Sequence, residues 1–162
     1  DVINKLSNKY EINVNKSKWK GLVGTGIIEN EKVILLKPQT FMNLSGESIR
    51  EVMDFYNLEN KDIIIIYDDM DIEKGEIKVR KTGGPGSHNG MKSVIENLPN
   101  NRFKRVRVGI GKPENKSDMI NYVIGKVSDE EQEILDKGTE KAKEAVIEIV
   151  KNGVDSAMNK FN

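Results

Sequence analysis

The chain has no cysteine, a single histidine and a single tryptophan, and its 26 basic and 26 acidic side chains cancel to a formal net charge of zero. Without cysteine there is no disulfide staple, no thiol nucleophile and no thiolate metal site, a composition that suits a reducing compartment and predicts a cytoplasmic protein. No apolar run approaches the roughly 20 residues that a helix needs to cross a bilayer, so no membrane association is expected. What remains is ordinary for a soluble globular chain: 162 residues, 36% hydrophobic and 32% charged, are enough for one domain with a sizeable core. There is no internal repeat and no low-complexity linker, so residues 1–162 read as one domain.

The zero net charge is assembled from separated blocks. From Lys78 to Arg107 there are eight Lys or Arg against one acid, Glu96, whereas Glu47 to Glu76 holds ten acids and three bases. Segregation of this kind predicts a basic face on a polar molecule, and a basic face favours a phosphate-bearing partner.

Apolar spacing gives an alternation of strands and helices. Val2, Ile3 and Leu6 have helical spacing. Trp19 to Ile28 and Lys32 to Leu36 read as two strands joined by the polar turn Glu29-Asn30-Glu31. Ser45-Gly46-Glu47-Ser48 opens a helix with Ile49, Val52, Met53 and Tyr56 on one face. The run Ile63-Ile64-Ile65-Ile66 is typical of a strand buried on both faces. Glu76 to Lys81 alternates Ile77 and Val79 with Lys78 and Arg80, and Phe103, Val106, Val108 and Ile110 mark a further strand. Lys112 to Lys126 reads as a polar loop with a short helical turn, and Glu130 to Val150 as a long amphipathic helix. The expected class is α/β: a single domain with a mixed, twisted sheet flanked by helices.

Gly83-Gly84-Pro85-Gly86-Ser87-His88-Asn89-Gly90 contains the only histidine. Its glycines let the backbone approach a ligand closely, and Met91, Val94, Ile95 and Leu98 then follow at helical spacing. The loop thus delivers His88 and Asn89 to a helix N-terminus, where unpaired N–H groups suit a phosphate, a carboxylate or a developing oxyanion. Simple capping of that helix is the alternative use of the same two side chains. In open sheets ligands gather at the carboxyl ends of strands, and three unusual stretches fall there: Lys37 to Asn43, Tyr67 to Asp71 and Gly109 to Pro113. Asp68 follows the isoleucine run, where burial disfavours a carboxylate and calls for a partner. Asp69 and Asp71 read as surface-turn residues. Asn43 can donate to a carbonyl oxygen, or cap the helix that begins near Ser45.

Taken together, Lys37-Pro38-Gln39-Thr40-Phe41-Met42-Asn43-Leu44-Ser45-Gly46, Tyr67-Asp68-Asp69-Met70-Asp71, Gly86-Ser87-His88-Asn89-Gly90-Met91-Lys92 and Arg105-Val106-Arg107-Val108-Gly109-Ile110-Gly111 resemble bacterial peptidyl-tRNA hydrolase in order and spacing. The resemblance covers essentially the whole chain. It implies hydrolysis of the ester between a peptide and the 3′ end of tRNA, with no metal or organic cofactor, by a monomer without an obligatory protein partner. Phe41 and Asn43 resemble the family's contacts to the tRNA end and peptide, and Asn89 their partner across the cleft, with His88 beside it. Asp68 resembles the aspartate that orients the catalytic histidine. Lys78, Arg80 and Arg107 resemble the residues that engage tRNA phosphates, and Lys112 to Ile124 a lid over the peptide channel. Ser87 departs from the glycine usual before the His-Asn pair.

A larger departure lies at the start. The family opens with a buried strand, a glycine-rich turn and a segment that carries the catalytic histidine, and His88 matches the later motif instead. The chain therefore reads as N-terminally truncated, holding Asp68 without the base it serves, and as inactive in this form. In the complete site a neutral histidine, kept in one tautomer by Asp68, would take a proton from the attacking water. Asn43, with Asn89 or loop N–H groups, would steady the oxyanion. A non-catalytic RNA-binding relative is the alternative reading, but it has no need of a carboxylate at Asp68. A nucleotide-binding or metal-dependent protein would require a phosphate-loop lysine or further ligands, and the sequence shows neither.

Overall fold

A computed structural model of the chain describes residues 1–39, 44–84, 89–112 and 129–162. Its strands fall into two three-stranded sheets rather than one. The first is an antiparallel meander of β1 (Lys16–Lys18), β2 (Gly21–Ile28) and β3 (Glu31–Pro38). The second is mixed: β4 (Ile64–Asp69) runs parallel to the central β6 (Lys104–Gly109), and β5 (Ile77–Arg80) runs antiparallel to it. Helices α1 (Val2–Tyr10), α2 (Ser45–Tyr56), α3 (Asn89–Asn97), α4 (Asp129–Asn152) and α5 (Val154–Phe161) flank the sheets, so the α/β class holds.

The polar turn joining β2 and β3 falls where expected, with Glu29 and Asn30 at φ 48° and 70°. The strand expected from Trp19 begins two residues later, at Gly21. Trp19 and Lys20 instead occupy left-handed backbone, φ 51° and 57°, and make the two-residue turn of a β1–β2 hairpin. Such turns favour Asn or Gly at both central positions, so Trp-Lys gives no turn signal. Tertiary bonds hold the turn: Ser48 Oγ donates to the Trp19 carbonyl at 2.7 Å, and the Gln39 N–H donates to the Lys20 carbonyl at 2.8 Å. At the other end of the chain Gly153, at φ 94°, breaks the amphipathic run and starts α5, a helix that the spacing did not reveal.

Two apolar layers form around the second sheet. Val106, Ile77 and Val79 face α4 and α5 together with Val2, Leu6, Ile28, Ala142, Val146 and Ile149. Phe103 faces the opposite way, into a layer with Ile49 and Met53 of α2 and Met91, Val94 and Leu98 of α3. The isoleucine run divides between them, Ile64 and Ile66 to the first layer, Ile63 and Ile65 to the second. Both faces are therefore packed, as expected. Each of these side chains is only half-buried, because β4 is an edge strand that pairs with β6 alone among the described residues.

Helices α2 and α3 meet at Gly46. Its N–H donates to Ser93 Oγ at 2.9 Å, and a Cβ at this position would lie 2.1 Å from the Ser93 carbonyl oxygen. That approach admits no side chain. Gly46→Ala should therefore lower stability by about 2 kcal/mol, the ordinary cost of overpacking a contact that must open, as read from urea unfolding midpoints.

The junction of α4 and α5 rests on Glu148. Its carboxylate accepts from Ser156 Oγ at 2.6 Å and Asn152 Nδ2 at 2.8 Å, and pairs with Lys160 Nζ at 3.1 Å. These donors, Ser156 first, hold its pKa down at about 2. A depressed carboxylate contributes stability that is complete above its unfolded pKa and fades as pH falls through the folded one. The Tm advantage of the parent over Glu148→Gln should accordingly be full at pH 7, shrink below about pH 4.5 and vanish near pH 2.

Candidate functional site

The basic face expected from the charge blocks is built by strand register. Lys78 lies directly across from Arg107, and Arg80 across from Arg105, on the antiparallel pair β5 and β6. Because side chains alternate along a strand, burying Ile77 and Val79 on one side turns Lys78 and Arg80 to the other. All three cations singled out in the sequence thus share one side of the sheet, the side that carries α2 and α3. Among the described residues Lys78, Arg80 and Arg105 have no carboxylate partner, so this side is positive.

Arg107 differs from its neighbours. Its Nε and Nη2 donate to Asp69 Oδ2 at 2.8 and 2.6 Å. Asp69 is consequently not the surface-turn residue the sequence suggested: it ends β4 with a side chain only 13% exposed, because the strand extends past the isoleucines. Asp69 Oδ1 also accepts the Asp71 N–H at 2.8 Å, and Asp71 pairs with Lys112 Nζ at 2.8 Å. Lys112 holds the Asp71 carboxyl below its usual range. Asp69 and Asp71 are thus engaged by an arginine and a lysine.

Two of the three stretches expected at the sheet edge do meet. The Ile110 N–H donates to the Asp69 carbonyl at 3.0 Å, the Gly111 N–H to Ile72 at 2.9 Å and the Gly109 N–H to Glu76 at 2.8 Å. A Cβ on Gly109 would stand 2.0 Å from the Glu73 carbonyl oxygen, so glycine is required where the two segments cross.

Asp68 lies near the end of β4, on the side of Ile66 and in register with Val108. The expectation of a carboxylate buried by the isoleucine run is corrected here: Asp68 is exposed, on a strand that pairs with β6 alone among the described residues. Asn89 begins α3, but its side chain lies outside the described residues, as do Phe41, Asn43 and His88 and the segment expected to form a lid beyond Lys112. The 40–43 and 85–88 segments immediately precede α2 and α3, the two helices locked together through Gly46 and Ser93.

Sequence reasoning missed two members of this region. Asp69 was available as the residue following Asp68 on a strand, and alternation would have placed it with Tyr67 and Arg107. Arg105 sits within the basic run, but its burial carries no local signal.

An α/β domain with a positive sheet face has the charge distribution that suits a phosphate-bearing ligand. A family model described as peptidyl-tRNA hydrolase matches residues 1–162, and the chain belongs to that family. The peptidyl-tRNA hydrolase of Clostridium perfringens strain 13 is 51% identical over 162 residues, spanning 100% of this chain and 85% of the relative. That of Caldanaerobacter subterraneus subsp. tengcongensis is 50% identical over 161 residues, 99% of this chain and 86% of the relative. The crystal structure of peptidyl-tRNA hydrolase from Acinetobacter baumannii superposes with a TM-score of 0.89 at 34% identity, covering 98% of this chain and 81% of that one.

The Arg107–Asp69 pair is partly exposed, 27% and 13% for the two side chains, so its strength is screened. A double-mutant cycle with Arg107→Met and Asp69→Asn should give a coupling of about 1 kcal/mol, between the values for exposed and buried pairs. Additive unfolding free energies would show that the contact adds nothing to stability.

Proposed function

We propose that the enzyme to which this chain belongs hydrolyses the ester that links a peptide to the 3′ end of tRNA, releasing the peptide and a reusable tRNA. The observation that carries the reading is the positive sheet face, where three cations lack a carboxylate partner among the described residues, in a chain of this family. Lys78, Arg80 and Arg107 lie across two neighbouring strands, a spread suited to the backbone phosphates of an acceptor stem. None of the described helices is long and apolar enough to cross a membrane, and the proposed setting is the cytoplasm, where the protein acts as a monomer on tRNA.

In the proposed chemistry a water oxygen attacks the ester carbonyl and the C–O bond to the ribose breaks. The water's proton passes through a general base to the departing ribose oxygen. Asp68 orients that base, a histidine other than His88. Asn43 and Asn89 donate to the oxyanion, and Phe41 contacts the tRNA end, with His88 beside the cleft. An ester has a better leaving group than an amide, so the peptide's own bonds survive in the same site.

Two measurements test this division of labour in the intact enzyme. Asp68→Asn keeps shape and removes charge, so kcat should fall by about a hundredfold or more while KM shifts by less than about threefold. Turnover equal to the parent would remove Asp68 from the mechanism. Lys78→Ala should weaken tRNA binding to a similar degree for different tRNAs and reduce the slope of log K against log salt by roughly one. It should leave a short ester substrate without the tRNA body unaffected. RNA binding without any ester hydrolysis would favour the non-catalytic alternative.

A further inference from the structure

Arg105 is the cation that this scheme leaves without a task. It is 1% exposed, more fully buried than any other charged residue among those described. Its guanidinium carbon lies 4.2 Å from the centroid of the Phe103 ring, itself 1% exposed. On the other side Gly83 rests against the group: a Cβ there would be 3.4 Å from Nη1 and 3.6 Å from Cζ. Nη2 donates to the Asn101 carbonyl at 2.7 Å, whereas Nε and Nη1 are buried without a hydrogen-bond partner among the described residues. Burial lowers the pKa of the group, and a side-chain hydrogen bond with Tyr67 acts in the opposite direction.

Such an arrangement is costly. Buried charges are normally paired, and buried donors left without acceptors lose the hydration they had in the unfolded chain. A long apolar side chain could fill the same slot between Phe103 and Gly83 without that penalty. The register shows what the charge stands near. Arg105 is across from Arg80 and two residues along β6 from Arg107, on the side of the sheet that bears Lys78. A charge held away from solvent is little screened, so its field persists at the surface above.

We propose that Arg105 is a positioning residue for RNA: from beneath Gly83 it keeps an unneutralised positive charge under the Lys78–Arg80–Arg107 face and strengthens that face's hold on a phosphate Arg105 never touches. The inference rests on the tRNA-binding reading above. It differs from a direct contact in one measurable respect. A residue that meets a phosphate displaces counterions and sets the salt slope, whereas a buried charge adds affinity and leaves the slope nearly unchanged.

The test uses deacylated tRNA as the probe, with binding followed by fluorescence anisotropy across a salt series and thermal unfolding measured in parallel. Arg105→Met should weaken binding about fivefold to thirtyfold at low salt, an effect of the size expected for one charge acting at short range in a partly screened medium. Its salt slope should match the parent, and its Tm should be equal or higher, because an orphaned buried ion has been replaced by an apolar chain. Arg105→Lys should bind within about threefold of the parent, since charge rather than guanidinium shape is what matters. Should Arg105→Met fail to fold, Arg105→Gln supplies a neutral, polar replacement with the same expected loss. Parent-like binding by either neutral variant overturns the inference. So does a lysine variant as weak as the neutral ones, or a salt slope reduced by one, which would make Arg105 a direct contact. A parent protein that does not bind tRNA would instead overturn the tRNA-binding reading itself.

Discussion

The alternation of side chains along β6 is the constraint on which the rest of the molecule depends. In Lys104–Gly109 the valines at 106 and 108 turn toward α4 and α5, and the arginines at 105 and 107 toward α2 and α3. Because β6 is central, its phase is imposed on both neighbours through their registers. A slip of one residue in either pairing would put arginines into the apolar layer and valines on the charged side. The sharp division between Arg and Val at successive positions therefore fixes the sheet as well as the charge pattern. Core and positive face are two readings of a single strand.

This dependence explains which features were legible in advance. The IKVR segment of β5 and the RVRV segment of β6 announce strands with one apolar and one charged side, and both appear as expected. The isoleucine run was recognisable because no other element uses four β-branched residues in succession. Helix α5 and the Trp19-Lys20 turn were not recognisable. The first follows a glycine that could equally have ended the helical region. The second puts a bulky pair into backbone that such residues adopt only when tertiary bonds compel them. Pairing at the site was half legible: alternation sets Asp69 on the side of Tyr67, but its bond to Arg107 depends on the β4–β6 register, which no local signal gives.

The charged side shows a graded arrangement of cations. Arg107 is tied by a carboxylate and its geometry is fixed. Lys78 and Arg80 are half-buried and have no acid partner among the described residues, and Arg80 turns back to donate to the Val79 carbonyl at 3.0 Å. Arg105 is enclosed altogether. A polyanion approaching this side meets rigid, adjustable and buried charge in turn, and only the surface residues must shed water to bind it. Local neutrality has been avoided here although the chain as a whole is neutral, which places the compensating acids on other surfaces.

At the outer edge of β5 the chain does something unusual with Asn162. Asn162 accepts the Val79 N–H through Oδ1 at 2.7 Å and donates to the Val79 carbonyl through Nδ2 at 2.9 Å. A carboxamide offers the same donor and acceptor, at nearly the same spacing, as a peptide group, so this side chain imitates one residue of an adjoining strand. An open strand edge invites pairing with another copy of the chain. Here the central hydrogen-bonding position of a four-residue strand is already taken, and α5 packs alongside it. On that flank one side-chain amide occupies a pairing position that an added strand would need.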